Sequence, residues 1–130
     1  MNVRQLLVLG ASVLMLALCG RAHAEERQVQ YVQIAELEID PAQLEAYKAA
    51  AREQIETAIR VEPGVLVLYS VSQKDNPAHI TVFEIYADTD AYKAHLESAH
   101  FKKYKVTTDK MVRSLELIKT DPVILGSKTR

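Results

Sequence analysis

The stretch ITVFEIYADTDAYKAHLESAHFKKY, from Ile80 to Tyr104, decides the fold because its apolar residues change from strand spacing to helix spacing. In its first part the residues alternate, so Glu84 and Tyr86 point to the same face of a strand. After the helix-capping residues Asp88-Thr89-Asp90, apolar positions recur at the spacing of one helical face. This order predicts a strand followed directly by a helix that carries His95. The two elements can deliver these three side chains to a common cleft.

The residues before this stretch predict two strands and a helix. Tyr31 to Ile39 alternates as a strand does, and Asp40-Pro41-Ala42-Gln43 is typical of a helix start, with a capping acid and a proline in the first turn. The helix ends at Glu62-Pro63-Gly64. Val65 to Gln73 is apolar at most positions, which favours a central strand. The polar turn Lys74 to Pro77 joins it to the next strand as an antiparallel hairpin.

The residues that follow predict a second break and a last strand. The helix stops near Ser98, a further helical segment runs from His100 to about Lys110, and Ser114 to Lys119 alternates. The resulting order is typical of an α+β fold of the ferredoxin-like type, an antiparallel sheet with helices on one face. The other face would carry more apolar surface than a soluble monomer exposes. We therefore predict a homodimer in which two such sheets close into a barrel.

The first 24 residues have the features of a secretory signal peptide. Arg4 supplies a positive charge, Leu6 to Leu18 form an apolar run, and Ala22-His23-Ala24 offers the small residues of a cleavage site. We expect cleavage after Ala24 and export to the periplasm or the medium, with residues 25–130 forming one domain. A membrane span needs roughly 20 apolar residues, so no stable membrane association is expected after cleavage.

Cys19 is the only cysteine of the chain and stands at the end of the apolar run. It is a second candidate for anchoring, as a lipid acceptor, but Leu18 precedes it where lipoprotein signals have Gly or Ala. A chain cleaved after Ala24 has no cysteine, which excludes disulfides and thiol chemistry. Its formal net charge moves from −1 to about −3. An acidic surface without basic clusters argues against a nucleic-acid partner.

Three motifs of the chain occur together in one known family. They are Glu62-Pro63-Gly64, Phe83-Glu84 with Tyr86, and the pattern H-L-x-x-x-H-F-K-x-Y from His95 to Tyr104. Between Val32 and Thr120 the chain resembles the antibiotic biosynthesis monooxygenase (ABM) family, and more narrowly its quinol monooxygenases. The resemblance implies a dimeric α+β barrel. It also implies oxidation of a small quinol or polyphenol by O₂ without a metal, flavin or other cofactor.

The chemistry of quinol oxidation suggests roles for the residues of the expected cleft. A quinol gives an electron to O₂ far more readily after losing a phenolic proton, so the protein must supply a base, a hydrogen-bond donor and an apolar slot. We predict His95 as the base, because imidazole titrates near neutral pH. Glu84 is expected to orient this ring, and Tyr86 to donate to a phenolic oxygen. The predicted substrate-binding residues are Tyr69, His100, Phe101 and Tyr104.

Structural roles stay open for the same side chains. His95 can instead bond a neighbouring backbone carbonyl, and His100 can cap its helix or contact a partner subunit. Glu84 can pair with Lys102 or Lys103. Tyrosines at strand and helix spacing are commonly core residues with their hydroxyls at the rim.

Two other functions also stay open. A dimer of the same fold could bind a small aromatic or lipid without turnover, as a binding or stress-response protein. A haem binder fits less well: the haem-degrading branch of the resembled family uses a Trp where this chain has Tyr86, an Asn where it has Ala35-Glu36, and a His where it has Tyr104-Lys105. Lysine is a poor haem ligand at neutral pH. No cluster of metal ligands is apparent in the sequence.

Overall fold

The computed structural model of the chain describes residues 29–128, so the predicted signal peptide and Cys19 lie outside the described residues. The strands are β1 (Tyr31–Ile39), β2 (Val65–Ser72), β3 (His79–Tyr86) and β4 (Val112–Thr120); the α-helices are α1 (Leu44–Val61), α2 (Thr89–Glu97) and α3 (Ala99–Thr108). A single 3₁₀ turn, Pro41–Gln43, precedes α1. Within residues 29–128, no helix has both the length and the apolar character needed to cross a membrane.

The four strands form one antiparallel sheet in the order β2-β3-β1-β4. With the helices, this confirms the ferredoxin-like α+β fold. The prediction that Val65 to Gln73 is a central strand is wrong, because β2 lies at the edge of the sheet. Only one side of β2 is buried: Val65 and Leu68 pack inward, while Tyr69 and Val71 are exposed. An apolar run does not reveal whether the second face of its strand is covered.

Three capping side chains set where the helices begin. Asp40 accepts a hydrogen bond from a backbone N–H of the 3₁₀ turn at 3.0 Å, and Asp88 accepts one from the N–H of Ala91 at 2.7 Å. Ser98 ends α2, and its hydroxyl accepts from the N–H of Phe101 in α3 at 3.3 Å. The predicted break near Ser98 is confirmed. A single residue joins the two helices.

The helices pack on one face of the sheet. Beside α1 and α3 the buried core consists of Ala35, Leu37, Ile39, Tyr47, Ala51 and Ile80. Nearer the end of α1 a second cluster consists of Ala58, Val65, Leu68 and Tyr86. Burial of each large apolar side chain stabilises the fold by about 1.5–3 kcal/mol. Because Tyr86 belongs to this core, one wall of the cleft is fixed by the packing of the fold.

The opposite face of the sheet is partly apolar and carries one charged cluster. Tyr69 and Val71 of β2 pair in register with Phe83 and Thr81 of β3, which places them on this face. Their exposed fractions are 66% and 60%. On the same face the ring of His79 lies between two carboxylates, at 2.5 Å and 2.7 Å. The hydrogen bond to the first carboxylate is the main reason why the pKa of His79 is raised.

Candidate active site

A cavity of about 280 Å³ lies between the sheet and helices α2 and α3. Its polar lining includes Gln33, Glu84, Tyr86, Tyr92, His95 and Tyr104, and its apolar lining includes Val82, Leu96, Phe101, Leu115 and Leu117. The strand and helix of the Ile80–Tyr104 stretch therefore bring Glu84, Tyr86 and His95 to one cavity, as the sequence predicts. Alternation along β3 explains why Glu84 and Tyr86 share this face.

Glu84 is the carboxyl group of the cavity, and its environment alters its acidity. Burial raises its pKa to about 7, and a hydrogen bond from the Gln33 side-chain amide opposes this shift. The amide oxygen of Gln33 accepts from the Tyr31 hydroxyl at 3.0 Å, which fixes the amide. A carboxyl that exchanges its proton near neutral pH is suited to act as a general base.

Both nitrogens of the His95 ring are occupied. Nδ1 lies 2.7 Å from Oε2 of Glu62, and Nε2 lies 2.9 Å from the Gln54 side-chain amide. In the neutral ring Nδ1–H donates to the carboxylate and Nε2 accepts from the amide. The suggestion that Glu84 orients this ring is corrected: the orienting carboxylate is Glu62. Since His95 is only 2% exposed and already bonded at both ends, it is less suited than Glu84 to take a proton from a ligand.

Tyr86 presents a phenol to the cavity. Burial raises the pKa of its hydroxyl, so the group keeps its proton at neutral pH. Its ring packs edge-on against the rings of Tyr31 and Tyr92, with centroid distances of 6.1 Å and 5.2 Å. The centroid of the His95 ring lies 5.4 Å from that of Tyr86. These contacts hold Tyr86 as a fixed hydrogen-bond donor.

Tyr104 lines the same cavity from α3. Its hydroxyl lies 2.9 Å from that of Tyr47 in α1, and burial raises the pKa of both phenols. Either hydroxyl can donate to the other, so one proton of the pair is available to a ligand. Tyr47 is one of the residues that the sequence did not place near the site.

The residues from 30 to 106 match the family profile described as antibiotic biosynthesis monooxygenase. The chain belongs to this family. Its fold matches a structure from Bacteroides thetaiotaomicron VPI-5482, provisionally named an antibiotic biosynthesis monooxygenase, with 50% identity and a TM-score of 0.75. That alignment covers 78% of this chain and 97% of the other.

Two further solved structures support the ABM assignment. A protein from Nitrosomonas europaea with the same provisional name is 25% identical, with a TM-score of 0.69 and coverage of 74% and 92%. A provisionally named monooxygenase from Lactobacillus acidophilus NCFM is 28% identical, with a TM-score of 0.70. The match covers 71% of this chain and 44% of that one. No functionally curated protein matches the chain.

Two of the four predicted substrate-binding residues of this ABM protein line the cavity, and two do not. Phe101 and Tyr104 line it, whereas Tyr69 lies on the edge strand in a separate groove of about 600 Å³ between β2 and α1. Surface side chains such as Lys48 border that groove, and neither Glu84 nor Tyr86 lines it. His100 lies outside the cavity lining, with Nε2 2.6 Å from Oε2 of Glu62.

A cluster of metal-ligand side chains is present that the sequence analysis missed. Glu62, His95 and His100 each offer one donor atom, and the three atoms lie within 4.8 Å of one another. The expectation that no such cluster exists is therefore wrong for residues 29–128. The ABM motifs contain all three residues, but only the packing of the end of α1 against α2 and α3 shows that they meet.

Proposed function

We propose that this ABM protein is a cofactor-independent monooxygenase that oxidises a small quinol or polyphenol with O₂. The observation that carries the proposal is the Glu84 carboxyl, with a pKa near 7, in the same cavity as the phenol of Tyr86. The cavity volume of about 280 Å³ suits a phenol of one or two rings, since a cavity of about 150 Å³ holds benzene.

In the proposed reaction Glu84 removes a phenolic proton, and Tyr86 donates a hydrogen bond to the phenolate oxygen. The phenolate gives one electron to O₂, which produces a substrate radical and superoxide. Their recombination forms a carbon–oxygen bond, and the resulting peroxide takes back the proton that Glu84 removed. Loss of water from the resulting hydroperoxide leaves a quinone, so one oxygen atom enters the product and the other leaves as water.

The surroundings of Glu84 support its role as the base in this reaction. The Gln33 amide stabilises the carboxylate and keeps the pKa from rising further, and the Tyr31 hydroxyl holds that amide in place. In this proposal His95 forms part of the cavity wall. Both of its nitrogens are bonded, which also leaves it poorly placed to ligate a haem from within the cavity.

Oxygen uptake with a panel of quinols tests the proposal. The full chain should consume O₂ above the autoxidation blank for at least one substrate. Glu84→Gln should lower that rate by about 10²–10⁴-fold, the usual contribution of general base catalysis. The matched control is Glu53→Gln, which removes an exposed carboxylate paired with Lys103 on the helix surface and should leave the rate unchanged.

Two results would contradict the proposal. Uptake no faster than the blank, with saturable binding of an aromatic ligand, would favour the non-catalytic binding protein of the same fold. Equal rates for the wild type and Glu84→Gln would exclude Glu84 as the base and favour His95 in that role.

We also propose that the protein is an exported homodimer whose subunits meet through the uncovered sheet face. Exposed Tyr69 and Val71 support this arrangement, because they lie on that face. Sedimentation should give twice the chain mass, and Val71→Glu should give a monomer. Val106→Glu, on the outer side of α3 and 81% exposed, is the control that should stay dimeric. Mass spectrometry of the protein from cell fractions tests export and cleavage after Ala24.

A further inference from the structure

We propose that Glu62, His95 and His100 form a binding site for one divalent transition-metal ion, with Zn²⁺ as the best fit. This site is separate from the oxidation chemistry proposed above. Glu62 and His100 lie outside the lining of the 280 Å³ cavity, and His95 reaches the cluster through Nδ1. The ion would bridge the end of α1 to the junction of α2 and α3.

The donor atoms already converge on one point. Oε2 of Glu62 lies 2.7 Å from Nδ1 of His95 and 2.6 Å from Nε2 of His100. Zinc bonds to nitrogen and oxygen are about 2.0–2.2 Å long, which places neighbouring donor atoms of a tetrahedral site about 3.3 Å apart. The two Glu62–histidine distances would therefore lengthen by about 0.6–0.7 Å, and the two histidine nitrogens, which lie within 4.8 Å of each other, would adjust to the same spacing. Small side-chain rotations are sufficient for this.

The backbone positions of the three ligands are well fixed. Glu62 directly follows α1, His95 lies in the last turn of α2, and His100 lies in the first turn of α3. Ser98 fixes the join between the two histidines, because its hydroxyl donates to the carbonyl of His95 and accepts from the first turn of α3. Rigid placement on three elements is what a preorganised metal site requires.

The His95 ring also has an outer partner of the kind that metal-binding histidines have. When Nδ1 binds a metal, Nε2 carries the remaining proton and donates it to an oxygen acceptor. Gln54 lies 2.9 Å from Nε2, and its side-chain oxygen can take that role after rotation of the amide. This contact sets the orientation of the ring with or without the ion.

The ligand chemistry selects the class of ion. Two imidazoles and one carboxylate suit zinc and the neighbouring first-row metals, whereas calcium and magnesium prefer oxygen ligands alone. Three protein ligands leave a fourth position for water. The side chains of Glu62 and His100 are 14% and 16% exposed, so an ion can enter from solvent, while His95 is 2% exposed. The ion would stabilise the fold as a cross-link between three helices.

Zinc titration of the full chain tests this proposal. The protein is treated with EDTA, freed of chelator, and titrated with ZnCl₂ by calorimetry and against a chromophoric chelator. One ion per chain should bind in the micromolar range or tighter, and saturating Zn²⁺ should raise the melting temperature by several degrees. His100→Gln and Glu62→Gln should each weaken binding by about tenfold or more.

The chain offers a matched control in His79, which lies between the carboxylates of Glu36 and Glu38 on the opposite sheet face. His79→Gln should leave the zinc affinity unchanged. Circular dichroism confirms that each variant is folded, and His100→Gln is the variant expected to fold best because its side chain reaches solvent. No stoichiometric binding by the wild type, or equal affinity in His100→Gln, would show that the cluster is only hydrogen-bonded. Loss of binding in His79→Gln would place the ion elsewhere.

Discussion

Replacing Gln33 by Leu should shift the pH dependence of oxidation without removing any group that reacts. The Gln33 amide donates to Glu84, so its loss destabilises the carboxylate relative to the protonated acid and raises the pKa of Glu84. Hydrogen bonds to charged groups contribute about 1.5–3 kcal/mol, and 1.36 kcal/mol corresponds to one pKa unit. The pKa should therefore rise from about 7 by about one to two units.

The assay is the pH profile of kcat/KM for O₂ uptake. The acid limb of the wild-type profile should have its midpoint near pH 7, because the base must be ionised. In Gln33→Leu the midpoint should move up by about one to two pH units, so the rate at pH 7 falls by roughly 5- to 50-fold. The two profiles should approach each other above pH 9. Gln43→Leu is the control, since that amide bonds the Lys110 carbonyl at the surface.

Three outcomes would refute this reasoning. An unchanged midpoint would mean that Gln33 does not stabilise the ionised form of the base, or that Glu84 is not the base. A rate reduced by the same factor at every pH would indicate misplacement of the substrate or damage to the fold. A shift toward lower pH would contradict the sign of the hydrogen-bond contribution directly.

Three further predictions concern stability. Glu84→Gln should raise the free energy of unfolding by up to about 3 kcal/mol at pH 8 and by little at pH 4. The wild type loses this stability between about pH 4.5 and 7, because its buried acid with a raised pKa ionises over that range. Urea denaturation at both pH values tests this. Gly64→Ala should cost about 1–3 kcal/mol, since the new Cβ would lie 2.5 Å from that of Ala91; Gly126→Ala, with nothing within 4 Å, should be neutral in the same assay. Protonated His79 contributes fully to the stability of the fold below about pH 6.5, and this contribution disappears as the pH rises through the raised pKa of His79. The melting temperature of the wild type should therefore fall relative to that of His79→Gln over that range.

Much of the fold could be predicted because its signals are local. Capping residues such as Asp88 and Ser98, and the change of apolar period after Tyr86, depend only on neighbours in the chain. The edge position of β2 could not be predicted in this way. The apolar residues of Val65–Ser72 indicate a surface that avoids water, but not whether helices, another strand or a second subunit covers it.

The candidate site, like the fold, could be predicted only where its signals are local in the sequence. Strand alternation was enough to place Glu84 and Tyr86 on one face, and helical spacing was enough to aim His95 toward them. The partners of these groups come from distant parts of the chain, as with Gln33 on β1 and Glu62 after α1. Nothing in their local sequence marks them as partners. The sequence therefore predicts His95 as the base, whereas the contacts favour Glu84 as the base and Glu62 as the group that orients His95.

The single-residue join at Ser98 makes this corner of the protein intolerant of change in length. Each residue of an α-helix advances the chain by about 100° around the axis. One inserted residue would therefore turn every side chain of α3 by more than a quarter of a circle. His100 would leave its carboxylate, and Phe101 and Tyr104 would leave the cavity together. Homologues should therefore keep the residue count of this corner.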